Sequence, residues 1–267
     1  MIIFKQEKPT LAIHKFTSCD GCQLALLNLG PDLLELAKLV DIKHFAEAGI
    51  VASEESVDIA LIEGSISTRS EQQRIQRIRQ TSKYVIALGA CATSGGIQAL
   101  RNISNAEAWL ASLYPDTSVL DSLTTSTPIE ESVRVDFTLR GCPVSCQQLI
   151  DFLLQLTQKI KPKPIDHSVC QDCKRNQTSC VMVTKQIPCM GPVTQAGCNA
   201  LCPRINRGCF GCYGPTKQAN TVALAKQFKN LGMSDKDIKN SFLHINSHSS
   251  AFSTAANSIN EDDSSHE

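Results

Sequence analysis

The sequence predicts a doubly wound parallel α/β sheet followed by a cysteine-rich, largely irregular segment. Three observations carry that prediction. Strand-like and helix-like runs alternate over the first 160 residues, two of the strand runs are apolar almost throughout, and eight of the 13 cysteines fall between Cys170 and Cys212. Strands alternating with helices build parallel sheets. A strand covered on both faces has no polar side to show.

The expected strands are TLAIHKF (10–16), VDIKHFA (40–46), VDIALIE (57–63), YVIALG (84–89) and VRVDFTL (133–139). Helical stretches are expected at 22–39, 69–80, 94–101 with an extension toward 112, and 143–160. The prolines of KIKPKPIDH (159–167) end the last of these, because proline cannot continue a helix. The sheet domain thus spans 1–162 and the cysteine-rich region 163–216. A short helical extension covers 217–245 (TVALAKQFKNLG, SDKDIKNSFLH), and the polar remainder, 246–267, reads as disordered. Too few apolar residues sit among the eight late thiols to make an independent core, so bound metal is expected to organise that region.

Composition limits the function. The 26 basic residues equal the 26 acidic ones, and no basic stripe or polybasic segment points to nucleic acid or an anionic membrane. No apolar run is long enough to span a bilayer, and the start lacks a signal-peptide core. A cytoplasmic location is expected. In that reducing compartment, 13 cysteines point to metal or redox chemistry rather than to disulfides.

Ligands of an open parallel sheet bind beyond the carboxyl ends of its strands. Cys19 and Cys22 follow the first strand, Glu63 and Gly64 the third, Cys91 the fourth and Cys142 the fifth. Four thiols therefore reach one sheet edge, as a four-cysteine zinc site or a 4Fe–4S cluster requires. Cys146 is the thiol left over and an alternative to Cys142. Beyond the sheet, Cys170 and Cys173, Cys180, Cys189, Cys198 and Cys202, and Cys209 and Cys212 make two further sets of four. The paired spacings fit zinc and iron–sulfur chemistry alike. GACATSGG (89–96) matches no nucleotide-binding pattern. His14, His44 and His244 read as packing or solvent-facing residues, whereas His167, three before Cys170, could serve as a ligand.

SCDGCQLALLNL, IEGSIST, ALGACATSGGIQALRN, RGCPVSC, CMGPVTQAGCNALCP and RGCFGCYGP, in that order, resemble the small subunit of nickel–iron hydrogenases. Within that family they are similar to the cytosolic, nicotinamide-linked type that includes the sulfhydrogenase delta subunits. The resemblance implies a flavodoxin-like domain with a proximal 4Fe–4S cluster on Cys19, Cys22, Cys91 and Cys142. It implies a distal cluster on Cys170, Cys173, Cys180 and Cys189, and a medial one on Cys198, Cys202, Cys209 and Cys212. Periplasmic members begin the distal site with His-x-x-Cys, which keeps His167 as an alternative. They carry proline where Cys202 stands and hold a 3Fe–4S cluster there. Backbone N–H groups beside Cys19 and Cys22 are expected to donate to cluster sulfurs.

The implied partners are a large subunit carrying the nickel–iron site, and diaphorase and iron–sulfur subunits carrying flavin and NAD(P). The chain itself would conduct electrons, with no catalytic residue of its own. The related small subunit of respiratory NADH–quinone oxidoreductase has adjacent cysteines at the first motif and lacks the long cluster-bearing extension. A zinc-stapled binding module without a redox role is the alternative from another class.

Overall fold

The structure is a computed structural model and describes residues 8–51 and 56–259. Its sheet has five parallel strands: β1 (Thr10–Lys15), β2 (Asp41–Phe45), β3 (Val57–Glu63), β4 (Ser82–Leu88) and β5 (Phe137–Leu139). The order is β2-β1-β3-β4-β5, the flavodoxin-like order, with its switch point between β1 and β3. Ile59, Ala60, Leu61 and Ile62 of β3 are all buried, as are Val85 to Leu88 of β4. Register decides where the loops emerge. Lys15 pairs with Glu63, Glu63 with Leu88, and Leu88 with Leu139. Four strands thus end at one level, directly below the thiol-bearing loops.

The helices depart from expectation where special residues intervene. The stretch 22–39 divides into α1 (Gly21–Leu27) and α2 (Pro31–Leu39). Gly30 takes a positive φ of 57° and Pro31 opens the second helix, the position where its missing N–H costs nothing. α3 (Arg69–Thr81) is fixed by a reciprocal cap between Thr68 and Glu71 and buries Ile75 and Ile78. α4 (Gly89–Ser94) begins as β4 ends, where only a loop is legible in the sequence. A 3-10 stretch (Ile97–Ile103) and α5 (Ala106–Leu113) replace the single helix expected over 94–112. β5 is shorter than 133–139. Asp136 N still donates to Val85 O at 2.9 Å, while the Asp136 carboxylate, in place of a backbone carbonyl, accepts from Val85 N at 2.9 Å and from Arg79 Nη1 at 2.6 Å. α6 (Cys146–Thr157) packs Leu149, Phe152 and Leu153 into the core on one face of the sheet.

Beyond the sheet come α7 (Val169–Arg175), α8 (Val181–Thr184), α9 (Leu201–Arg204), α10 (Thr221–Asn230), α11 (Asp235–Phe242) and α12 (Ser250–Asn257). Two expectations are corrected here. First, the thiol-rich segment makes no independent core but shares one with the later helices, so bound metal is not its sole organiser. Val169, Val181, Met190 and Val193 form one buried cluster with Leu224, Phe228, Ile238, Phe242 and Phe252 from the later helices. Second, positions 246–259 are folded rather than disordered, and 260–267 lie outside the described residues. Phe252, Ala255, Ala256 and Ile259 recur at helical spacing and are all buried, a pattern hidden by the polar residues between them. Phe252 also meets Phe242 with ring centroids 5.7 Å apart. Phe252→Ala should cost about 3–5 kcal/mol of stability, measured as a lower denaturant midpoint. Loss within about 0.5 kcal/mol, the range of an ordinary surface substitution, would show that α12 is not part of this core.

Candidate metal centres

The thiols gather as the strand register dictates. Cys19 and Cys22 stand in the β1–α1 turn, Cys91 in the first turn of α4, and Cys142 just past β5. Ala90 N donates to Gly141 O at 2.7 Å, tying the Cys91 and Cys142 loops together. Thr17 and Ser65 bridge the loops after β1 and β3. Burial pushes Cys22 far above the ordinary thiol range, and nearby Glu63, Cys91 and Cys142 add to the rise. Burial holds Cys91 at about 12, raised further by Cys142 and Cys19. Cys142 is raised by burial first and by Cys19 next. Cys22, Cys91 and Cys142 therefore each feel other thiols at this sheet edge.

Two glycines leave room for the sulfurs. A Cβ on Gly89 would stand 2.5 Å from Cys22 Sγ, and one on Gly96 2.5 Å from Cys91 Sγ. Their φ angles of 81° and 65° already favour glycine. Glu63 is the residue whose role sequence reasoning missed. Its buried carboxylate accepts from Cys22 N at 2.9 Å and Gln23 N at 3.2 Å. Those two N–H groups are therefore engaged by a side chain, which corrects the expectation that they donate to sulfur. Gln98 also enters unforeseen, its Nε2 donating to Thr17 O at 3.1 Å and its Oε1 standing 3.5 Å from Cys91 Sγ.

The remaining eight thiols crowd together, and Cys189 stands near Cys170 and Cys173 on one side and Cys202 and Cys209 on the other. Cys170 is raised to about 11 by burial and then by Cys189, Cys173 and Cys180. Cys212 reaches about 12 through burial and then through Cys198, Cys142 and Cys202. Burial dominates the upward shift of Cys209, with Cys189 and Cys212 contributing. Cys209 N donates to Cys189 Sγ at 3.2 Å, and Gly211 N to Cys209 Sγ at 3.4 Å. Cys142 neighbours Cys212, and Cys198 neighbours Cys173. Cys212 and Cys198 thus each stand near a thiol outside the last four cysteines. Buried Tyr213 lies near Cys198, Cys212 and Cys22.

Two alternatives fall elsewhere. Cys146 Sγ donates to Ala25 O at 3.1 Å, on the α1 side of α6. His167 Nε2 lies 3.1 Å from Asp172 Oδ1 and 3.0 Å from Arg175 Nη1, in a polar cluster of its own. Among the described residues, no group of three or more His, Cys, Asp or Glu side chains is placed to hold a single metal ion.

The all-thiol donor sets and the glycine gaps beside Cys22 and Cys91 fit iron–sulfur clusters, which take cysteine thiolates as ligands. Binding must strip protons that burial otherwise holds on the thiols, so metal and fold are coupled.

Comparison with known proteins agrees with this chemistry. Residues 19–156 match the family model described as NADH ubiquinone oxidoreductase, 20 Kd subunit. Sulfhydrogenase 2 subunit delta of Pyrococcus furiosus is 36% identical over 85% of this chain and 95% of its own length. A subunit of the vhu F420-non-reducing hydrogenase of Methanocaldococcus jannaschii is 30% identical over 79% of this chain and 84% of its own. A chain of the NAD+-reducing [NiFe]-hydrogenase crystal structure in the H2-reduced state superposes with a TM-score of 0.53 at 27% identity. It is covered to 96% by only 59% of this chain.

Proposed function

The chain belongs to the nickel–iron hydrogenase small-subunit family, and from that premise we propose that it relays electrons through three 4Fe–4S clusters. The relay runs between the nickel–iron site of a large subunit and a NAD(P)-linked diaphorase module. The observation that supports this reading is the convergence of the thiol-bearing loops after β1, β4 and β5 at one sheet edge, with Cys212 near Cys142 and Cys198 near Cys173. Cys19, Cys22, Cys91 and Cys142 would hold the proximal cluster. Cys198, Cys202, Cys209 and Cys212 would hold the medial one, and Cys170, Cys173, Cys180 and Cys189 the distal one. When bound, such clusters supply one-electron carriers at potentials set by charge, hydrogen bonds to sulfur and solvent exposure.

The chain's own residues act on those three variables. Cys22, Cys189 and Cys209 are buried, which keeps water from their sulfurs. The N–H groups of Cys209 and Gly211 donate to thiol sulfurs, stabilising the thiolate form and raising the potential of what it holds. Glu63 fixes the Cys22 backbone while adding a carboxylate close to the proximal thiols. Cys19 and Cys142 are exposed, and the large subunit would dock over that face. The flavin and nicotinamide belong to partner subunits. The small subunit of respiratory NADH–quinone oxidoreductase fits less well, because Cys19 and Cys22 are spaced apart and eight thiols follow the last matched residue. A cytoplasmic site of action accords with the nicotinamide link. Among the described residues no helix is long and apolar enough to cross a membrane.

Iron and acid-labile sulfide analysis of the anaerobically purified chain tests the reading. Three 4Fe–4S clusters predict about twelve iron atoms and as many sulfides per chain. Stoichiometric zinc with negligible sulfide would assign the thiols to a zinc-stapled binding module instead.

A further inference from the structure

Asn246 stands between α11 and α12, well beyond the residues matched by the family model, and is 3% exposed. A polar side chain buried so deeply must find partners or destabilise the fold. Asn246 finds one on each side of the molecule. Its Nδ2 donates to Gly211 O at 2.8 Å, and its Oδ1 accepts from Ser94 Oγ at 2.5 Å. Gly211 lies between Cys209 and Cys212, and its carbonyl belongs to the peptide that carries the Cys212 N–H. Ser94 closes α4, the helix whose first turn bears Cys91. One amide therefore joins the Cys91 helix to the Cys212 loop.

The surroundings hold that amide in one orientation. A carbonyl can only accept, so the atom facing Gly211 O must be Nδ2. Ser94 Oγ also stands 2.9 Å from Ala90 O, which keeps the hydroxyl against α4. Two residues after Asn246, His248 Nε2 lies 2.6 Å from Glu131 Oε1, and its Nδ1 3.1 Å from Asn102 Nδ2. Both partners belong to the sheet domain, so the segment is fixed to it at a second point. A Cβ on Gly214 would stand 3.1 Å from Asn246 Oδ1 and 3.2 Å from Arg140 Nη1. Arg140 Nη1 in turn donates to Pro215 O at 2.8 Å, tying the Cys142 loop to the same turn.

We propose that Asn246 is a positioning residue that sets the spacing between the centre on Cys19, Cys22, Cys91 and Cys142 and the centre that includes Cys212. The proposal rests on the relay reading given above. Apolar packing is non-directional and tolerates small slides of one part against another. A hydrogen-bonded amide in the interior does not, because its donor and acceptor each need a partner in line. Neither of its partners is a thiol. Asn246 therefore acts through α4 and the Gly211–Cys212 peptide.

The test uses the anaerobic complex of this chain with its large subunit, fully loaded with iron, reduced with dithionite and read by electron paramagnetic resonance. Neighbouring reduced clusters split one another's signals, and the coupling falls steeply with their separation. Wild type should show this splitting. Asn246→Ala should keep its iron and sulfide, because Arg140 still holds the junction, but lose the resolved splitting. Asn246→Asp keeps an oxygen for Ser94 and loses the N–H for Gly211 O, so it should lose the splitting too. Ser94→Ala removes only the α4 end of the tie and should give the same loss. It decides the matter where Asn246→Ala sheds iron. Ile238→Ala, a core truncation in α11, destabilises the late segment and should leave the splitting intact. Wild-type splitting in Asn246→Asp or Ser94→Ala at full iron overturns the proposal. So does a fully loaded wild type without splitting, or loss of splitting in Ile238→Ala, which would make it a general effect of instability. A wild type that holds no cluster iron and sulfide refutes the relay reading itself, and the spacing proposal falls with it.

Discussion

Cys91→Ala should abolish hydrogen-driven electron delivery by the assembled complex, while Cys146→Ala leaves it close to wild type. The contrast follows from where the two thiols stand. Cys91 is half-buried in the first turn of α4, beside Cys142 and Cys19, and a Cβ on Gly96 would already touch its sulfur. Losing an outer-shell partner at a metal site typically costs about 10–100-fold, and losing the ligand itself should exceed that. Cys146 contributes one hydrogen bond, to Ala25 O, worth about 1 kcal/mol or less. Its removal should lower the thermal midpoint slightly and leave iron content unchanged. Iron analysis and dye reduction of both variants, each assembled with the large subunit, make the measurement. Should Cys146→Ala lose the proximal iron while Cys142→Ala retains it, the ligand assignment is reversed.

Much of this was legible in the sequence, for identifiable reasons. β3 and β4 are buried on both faces, so their apolar runs stand out against any background. Thiol placement was legible because parallel strands end at one edge, and each thiol follows a strand by only a few residues. What stayed hidden depends on single side chains acting out of type. The Asp136 carboxylate takes the Val85 N–H that a backbone carbonyl would receive in a longer β5. Glu63 takes two N–H groups that spacing alone would aim at sulfur. α12 was lost among serines, although Asn246 anchors that segment by donating to Gly211 O at 2.8 Å.

On the ligand assignment proposed above, the chain departs from the pattern of periplasmic small subunits at Cys202, and removing that thiol should change the medial centre without emptying it. Cys202 occupies the second position of α9, before Pro203. Its carbonyl accepts from Ile205 N at 3.1 Å and Arg207 N at 3.0 Å, and neither bond involves the thiol. N–H groups in the first helical turn have no intrahelical acceptor, so proline there need not break one. Leu201 would, however, become a residue before proline in helical conformation, which is disfavoured. Cys202→Ala leaves the backbone alone and serves as the matched variant to Cys202→Pro. Three thiols, Cys198, Cys209 and Cys212, would then remain, a set that suits a 3Fe–4S cluster. A fourth thiolate adds negative charge and opposes reduction, so either substitution should raise the medial potential. A low medial potential suits a relay whose two ends, hydrogen and a nicotinamide, lie close together. Raising it creates an electron trap in the middle, which should slow nicotinamide reduction more than reduction of a high-potential dye. Electron paramagnetic resonance of oxidised samples should show no 3Fe signal in wild type and a clear one in both variants. A stoichiometric 3Fe signal in intact wild type would remove Cys202 from the ligand set.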